Sequence, residues 1–371
     1  MALIQYMARI QFAHGARAEL PAELEDLGVS RPFILTDAGL MKAGVVAQAL
    51  EALPPGRVAA TFDAVPPNPT EACVVAALDA YRRAGCDGII AVGGGSVIDA
   101  AKAVALLATH PGPLGDYRVG SGRRIGPAMA PMVSVPTTAG TGSEIGRGMG
   151  ITLEEGGVKA VFISPHLIPR VAICDPDLTA SLPSRLAAGT GIDALSHCVE
   201  AFLSPAINPP ADAVALDGVA RLARHLRDAV EGGGAEARWN TMMGAIEGAM
   251  AMWKGLGAAH ALSMPLDALN LHHGTVVGVL LPHAVRFVSA NVPAERLARL
   301  SAALGASDDD PAETIGRLVR DIGLPPGLQA MDVPPDHLTG YAEEAAGTPF
   351  NATSARPAAA AGYLALAYAA F

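Results

Sequence analysis

Between residues 31 and 144 the chain alternates short apolar runs with helical patterns, and that alternation restricts the fold more than any other feature. "RPFILTD" (31–37) reads as a strand ending in Asp37, followed by a helix over 40–52. "RVAATFD" (57–63) reads as a second strand, "PPNPT" (66–70) as a turn and 70–85 as a helix. "DGIIAVGGG" (87–95) is a buried strand running into glycines, with a helix expected over 96–109, and "PMVSVPTTAGTGSE" (131–144) repeats the strand-to-small-residue theme. Strands separated by helices build a parallel sheet, because parallel neighbours need a crossover long enough to hold a helix. The expectation is a doubly wound, Rossmann-like α/β domain over residues 1–182. From about Ser184 strand signals nearly vanish, and "SRLAAGTGIDALSHCVEAFLS", 211–230 and 235–254 read as long helices. The boundary is placed at Leu182-Pro183, with an all-helical domain over 183–371.

A chain of 371 residues accommodates one large or two medium domains. The hydrophobic share of 51% marks a well-buried globular chain. A net charge of −10 without a basic run argues against nucleic acid as a partner. Cys73, Cys86, Cys174 and Cys198 form no CxxC pair, which fits a reducing compartment, so a cytoplasmic location is expected. "MALIQYMARIQFAHGARAEL" has no signal-peptide pattern. No apolar run approaches the ~20 residues that span a bilayer, and the tail "AAAAGYLALAYAAF" reads as a final packed helix, so no membrane partner is expected.

"AVGGGSVIDAAK" (91–102) is a strand, three glycines, a serine and a helix start. Gly93, Gly94 and Gly95 let backbone amides approach a ligand, and the helix start near Ser96 offers unpaired N–H groups to an anion such as a dinucleotide pyrophosphate. The stretch is neither GxGxxG nor a P-loop, and a tight turn without a ligand would use the same residues. "PTTAGTGSE" (136–144) adds the hydroxyls of Thr137, Thr138 and Thr141. Asp37 at a strand end suits a ribose and would repel a 2′-phosphate, which favours NAD over NADP; a helix N-cap is its plainer role.

"GIDALSHCVE" (191–200) places Asp193 and His197 four apart on one helical face. "HALSMPLDALNLHHG" (260–274) supplies His260 and either His272 or His273. One carboxylate and three imidazoles suit Fe(II), Zn(II) or a similar divalent ion.

In order, "TDAGL", "PNPT", "GGGSVIDAAK", "PTTAGTGSE", "GIDALSHCVE", "KGLGAAHALS" and "HHGTVVGVLLPHAVRF" resemble the iron-containing (group III) alcohol dehydrogenases nearly end to end, most of all their 4-hydroxybutyrate dehydrogenase-like members. The resemblance implies the dehydroquinate synthase-like two-domain architecture: a dinucleotide-binding α/β domain, then a helical metal-binding and catalytic domain. It implies metal ligands Asp193, His197, His260 and His273, the last because the family ligand precedes the glycine matched by Gly274. It implies cofactor contacts at Asp37, Asn68, Gly94, Gly95, Ser96, Asp99, Thr137, Thr138, Thr141 and Lys159. It implies reversible NAD-linked hydride transfer on a small alcohol or aldehyde, with Fe(II) or Zn(II), in a homodimer or larger homo-oligomer.

The chain departs from the family pattern at Met264, where a histidine thought to help move protons is common. Methionine can neither take nor give a proton. The His260-to-His273 spacing is one residue shorter than usual, Val277 replaces a common asparagine, and "SARP" (354–357) stands for "NPRP" while keeping Arg356. The expected proton path runs instead through the metal-bound alkoxide, the cofactor ribose and His272 or water; a site that has drifted to a new substrate or a weak activity is the other reading. Arg147 and Lys254, each near a site motif, are expected to favour an anionic substrate such as a hydroxyacid/semialdehyde pair. Maleylacetate reductase-like and glycerol dehydrogenase-like oxidoreductases are the alternatives, although metal-free maleylacetate reductases lack this ligand set. An NAD- and metal-binding protein without turnover is the non-enzymatic one.

Overall fold

The computed structural model describes residues 8–157, 159–306 and 310–371. The chain divides into two compact units. Among the described residues, one comprises 8–138 and 142–182; the other comprises 183–371 with 139–141.

The first unit is built on six parallel strands: β1 (Arg9–Phe12), β2 (Pro32–Leu35), β3 (Ala60–Phe62), β4 (Gly88–Gly93), β5 (Met132–Pro136) and β8 (Val171–Cys174), in the order β1-β8-β5-β4-β2-β3. Helices α1 (Leu20–Asp26), α2 (Ala38–Lys42), α3 (Val45–Ala49), α4 (Glu71–Arg83) and α5 (Gly95–Leu107) provide the crossovers. The strands read as unbroken apolar runs because both faces are covered. In β4, Ile89 and Ala91 join one core cluster while Ile90 and Val92 join the other. The single helix expected over 40–52 is two short ones, because Gly44 takes a left-handed turn (φ 76°) between them. The antiparallel ribbon β6 (Gly148–Thr152) and β7 (Lys159–Ile163) has no counterpart among the expected elements. It lies beyond the Gly- and Thr-rich stretch, where alternation is weak.

From β2 the chain steps outward to β3, then returns to place β4 on the other side of β2. This is a topological switch point, and open parallel sheets bind ligands at the carboxyl ends of the strands there.

The second unit is helical: α6 (Ser184–Leu203), α7 (Pro209–Val230), α8 (Ala235–Ala251), α9 (Ala258–Leu266), α10 (His273–Ser289), α11 (Ala294–Ala303), α12 (Pro311–Asp321), α13 (Leu338–Gly347), α14 (Pro349–Thr353) and α15 (Ala360–Ala369). α6 is its axis, buried along nearly its whole length and packed against α7, α8 and α10. Glycines set the α6–α10 approach. A Cβ on Gly274 would lie 2.1 Å from the Gly189 carbonyl oxygen and 2.9 Å from the Asp193 Cβ. The backbones therefore touch where only glycine fits, which brings the start of α10 against Asp193. Among the described residues no helix is long and apolar enough to cross a membrane.

Candidate functional site

In the sheet unit, β2 and β4 pair with Leu35 opposite Ala91, and Gly93 pairs with Pro136. Asp37, Gly94 and Thr137 therefore follow the strands at one carboxyl edge. Asp37 Oδ1 accepts from the Leu40 amide and caps α2, the plainer of its two expected roles. α5 begins at Gly95 with Gly94 as its N-cap and no side-chain cap, so its first amides at Gly95 and Ser96 stay available to an anion. Two of the three glycines stand close to neighbouring side chains, Gly93 more tightly than Gly94. A Cβ on Gly93 would stand 2.6 Å from the Val97 Cβ, and one on Gly94 would stand 3.1 Å from Thr138. Asn68 sits in the left-handed region (φ 55°) of the turn before α4, where asparagine is among the few side chains tolerated.

Asp99 has a structural duty the sequence did not disclose. Its carboxylate accepts from the Ser143 hydroxyl and, at 2.9 Å, from the Gly150 amide. Lys102, one turn on, donates to the carbonyls of Gly146 and Gly148 at 2.9 and 2.7 Å. α5 thus pins the segment from 143 to 150, which includes half-buried Arg147. Lys159 opposes Thr152 in the ribbon, with its aliphatic stem over Gly150. Thr141 groups with the helical unit.

In the helical unit the four candidate ligands converge. Around Asp193 Oδ1 stand His197 Nε2 at 3.8 Å, His260 Nε2 at 3.8 Å and His273 Nε2 at 4.0 Å. Asp193, His197 and His260 are buried, and His273 is partly exposed. Asp193 Oδ1 and His260 Nε2 are enclosed without a hydrogen-bond partner. Burial pushes the His197 imidazole down to about 4, because the charged ring would lose its solvation, so it is neutral at neutral pH. Lone pairs facing one another in a buried site repel unless a cation sits among them. One carboxylate and three imidazoles fit a divalent metal.

Carboxylates behind the rings carry no signal in the sequence pattern. Glu200 Oε2 lies 2.6 Å from His260 Nδ1, and its Oε1 accepts from the Ala259 amide at 2.7 Å. Asp267 Oδ1 lies 3.3 Å from His273 Nδ1. Such partners fix the ring and its tautomer. Glu200 lies one turn beyond His197 on α6, but that spacing does not mark it as the partner of His260. Phe350 meets the His260 ring edge-on, with centroids 5.7 Å apart, and had no signal in the sequence.

His272 is the N-cap of α10: its Nδ1 accepts from the Thr275 amide at 3.3 Å and lies 3.0 Å from the Thr275 hydroxyl. Met264 occupies α9 one turn past His260. Lys254 is a correction. Its enclosed ammonium donates to the carbonyls of Ala201 and Phe202 at 2.9 and 3.1 Å and pairs with Asp212 at 2.6 Å. The carbonyls at the end of α6 have no helical partners and carry the negative end of its dipole, so they capture this cation, and it does not serve an anionic substrate. Arg356 likewise donates to the Phe287 carbonyl and stacks on the Phe287 ring.

Two family models cover most of the chain: iron-containing alcohol dehydrogenase over residues 8–176, and its C-terminal counterpart over 187–370. The chain belongs to the iron-containing alcohol dehydrogenases. It is 46% identical over 350 residues to a 4-hydroxybutyrate dehydrogenase of Cupriavidus necator, covering 91% of each chain. It is 38% identical over 322 residues to a 1,3-propanediol dehydrogenase of Klebsiella pneumoniae, covering 83% of this chain and 82% of the relative. The crystal structure of a 1,3-propanediol oxidoreductase superposes with a TM-score of 0.95 at 33% identity over the whole of both chains. A sulfoacetaldehyde reductase of Bifidobacterium kashiwanohense in complex with NAD+ superposes with a TM-score of 0.91 at 27% identity, over 100% of this chain and 99% of that one. This family member is an oxidoreductase acting on CH–OH groups, an alcohol dehydrogenase/aldehyde reductase.

Proposed function

We propose that this dehydrogenase uses NAD and a divalent metal, Fe(II) or Zn(II), to interconvert a short hydroxyacid and its semialdehyde, such as the 4-hydroxybutyrate pair. The observation that carries the metal is the convergence of Asp193, His197 and His260, whose ligand atoms lie within 4.8 Å of one another, with His273 Nε2 4.0 Å from Asp193 Oδ1 and with buried, unpartnered Asp193 Oδ1 and His260 Nε2 facing each other. The NAD reading is supported by Asp37 and the α5 amides at the switch point, and by the relative bound to NAD+. The substrate class is supported by the relative that shares 46% of its residues.

When bound, the metal supplies Lewis-acid polarisation of the carbonyl, and the nicotinamide supplies the hydride. The chain's own residues hold and orient. Glu200 and Asp267 keep His260 and His273 turned with Nε2 toward Asp193. Burial keeps His197 unprotonated and able to coordinate. Met264 carries no proton. The Thr275 amide occupies His272 Nδ1, which leaves His272 Nε2 as the atom to exchange the proton. Asn68, Gly94, Gly95, Ser96, Thr137, Thr138, Thr141 and Lys159 are proposed to hold the cofactor, with Asp99 shaping that region by fixing 143–150. A homodimer or larger homo-oligomer in the cytoplasm is the expected setting, consistent with four free cysteines.

The test is NADH oxidation by chelator-stripped protein, reloaded anaerobically with Fe(II) or Zn(II), over a panel of short aldehydes and semialdehydes. Metal-dependent turnover that is highest on a semialdehyde supports the whole proposal. Turnover only on neutral aldehydes removes the substrate class. NADH binding without turnover on any metal moves the protein to the non-enzymatic reading.

A further inference from the structure

We propose that Glu200 is the positioning residue of the metal centre, a single buried carboxylate that fixes both the tautomer of His260 and the seat of α9 on α6. The inference rests on the metal-centre reading above.

The three imidazoles are held very differently. His260 has a buried carboxylate at 2.6 Å on Nδ1, His273 has a more accessible one at 3.3 Å, and His197 Nδ1 has no hydrogen-bond partner. Both oxygens of Glu200 are engaged: Oε2 by His260 Nδ1 and Oε1 by the Ala259 amide, a first-turn donor of α9 with no helical acceptor. Gly257, the N-cap of α9, has no side chain to cap that helix. A Cβ at Gly257 would stand 3.0 Å from Glu200 Oε1, so the carboxylate fills the space where a local cap would go. Glu200 therefore caps α9 from another helix.

The tautomer follows from donor counting. A carboxylate only accepts, so when the His260 ring carries a single proton, that proton sits on Nδ1, facing Glu200. Nε2 is then a bare lone pair aimed at Asp193, the form a metal needs. The isosteric amide of a Glu200→Gln variant breaks this. Its single oxygen can serve the Ala259 amide or His260 Nδ1, not both. If that oxygen keeps Ala259, the NH2 faces Nδ1 and drives the ring proton to Nε2, where it blocks coordination. If the oxygen keeps His260, the NH2 opposes the Ala259 N–H.

The test uses the full-length protein in two arms. The first is metal-free: long-range 1H–15N NMR of 15N-histidine protein reports which nitrogen of His260 is protonated, with a His260→Asn sample for assignment. Nδ1–H in the wild type and a shift toward Nε2–H in Glu200→Gln are expected. Wild-type His260 protonated on Nε2 overturns the proposal whatever the metal does. In the second arm, stripped protein is titrated with Co(II) and read by its visible d–d bands. E200Q should bind about 10- to 100-fold more weakly with altered bands. D267N should lose less, and E200D should recover part of the loss. Wild-type affinity and spectrum in E200Q overturn the proposal. Failure of the wild type to bind Co(II) in a manner abolished by D193N overturns the metal-centre reading instead, while the NMR arm still decides the tautomer.

Discussion

The two units prepare for their ligands by opposite means. The carboxyl edge of the sheet offers backbone amides, hydroxyls and room: α5 starts uncapped at Gly94, and glycines stand where side chains would collide with Val97 and Thr138. The centre in the helical unit offers side chains, three of them buried and each of those three with a polar atom that meets no hydrogen-bond partner. A backbone cradle tolerates changes that leave its shape intact. A cluster of buried polar atoms has no such latitude, because each atom lacking a partner costs free energy. Substitutions should therefore hit the helical centre harder than the sheet edge.

The largest effect should come from D193N. The amide keeps the volume of the carboxylate but removes the one negative charge among the candidate ligands, so metal content should fall to background. Semialdehyde reduction should drop by at least about 10³-fold, since several kcal/mol of charge stabilisation go with the metal. Metal analysis and steady-state NADH oxidation check this; D193N with full metal and activity would remove Asp193 from the centre. G274A comes next. Its Cβ would fall 2.1 Å from the Gly189 oxygen, so α10 must shift off α6. Overpacking of this kind costs about 1–3 kcal/mol, and the shift should also weaken Co(II) binding as His273 moves. The matching change at the sheet edge, G94A, meets Thr138 at 3.1 Å, a side chain that can give. It should raise the KM for NADH severalfold and leave Co(II) binding alone. Equal effects of the two on metal binding would erase the contrast between the regions.

The same contrast explains what could be read in advance. The parallel sheet was legible because fully buried strands such as "GIIAV" are compact apolar runs, and the change to helical periodicity after Ser184 is abrupt. Asp193 and His197 were legible as a pair because a helix brings i and i+4 together. Spacing alone left His272 and His273 equivalent; the contact of Gly274 with Gly189 is what puts the start of α10 beside Asp193. Glu200 was passed over and Lys254 was misjudged for one reason. Their partners, His260 and Ala201, lie 60 and 53 positions away, and no local pattern records a hydrogen bond made across helices. The resemblance named Asp99 as a cofactor contact; its bonds to Ser143 and Gly150 went unread because those partners belong to a distant segment.

A buried charge in the sheet unit gives a pH test that does not involve the helical centre. Burial raises the Glu144 carboxyl from 4.5 to about 7, offset only in part by its own backbone amide and by Lys102. Between those values the folded chain holds a proton that the unfolded chain has released. Stability should therefore fall as pH rises from about 4.5 to 7 and then level off, by on the order of 3 kcal/mol at about 1.4 kcal/mol per pH unit. E144Q should flatten that fall in urea denaturation at pH 5 and 7.5. An unchanged slope would mean that Glu144 is not its source.

The smallest effect is expected at Met264, the position that the sequence reading sets against a histidine. Met264 lies one turn past His260 on α9, so M264H would present an imidazole on the same face as a proposed ligand. If His272 Nε2 already exchanges the proton, the new imidazole duplicates a group that is present, and kcat should change by less than about tenfold, below the usual 10²–10⁴ contribution of a positioned acid–base group. H272N separates the roles. Asparagine preserves the N-cap by accepting from the Thr275 amide, so Co(II) binding and thermal stability should hold while kcat falls and its pH dependence changes. M264H should then restore part of the lost rate in H272N and little in the wild type. A large gain in the wild type with no loss in H272N would show that position 264 is where this enzyme lacks a proton carrier. His272 would then serve only to start the helix that carries His273.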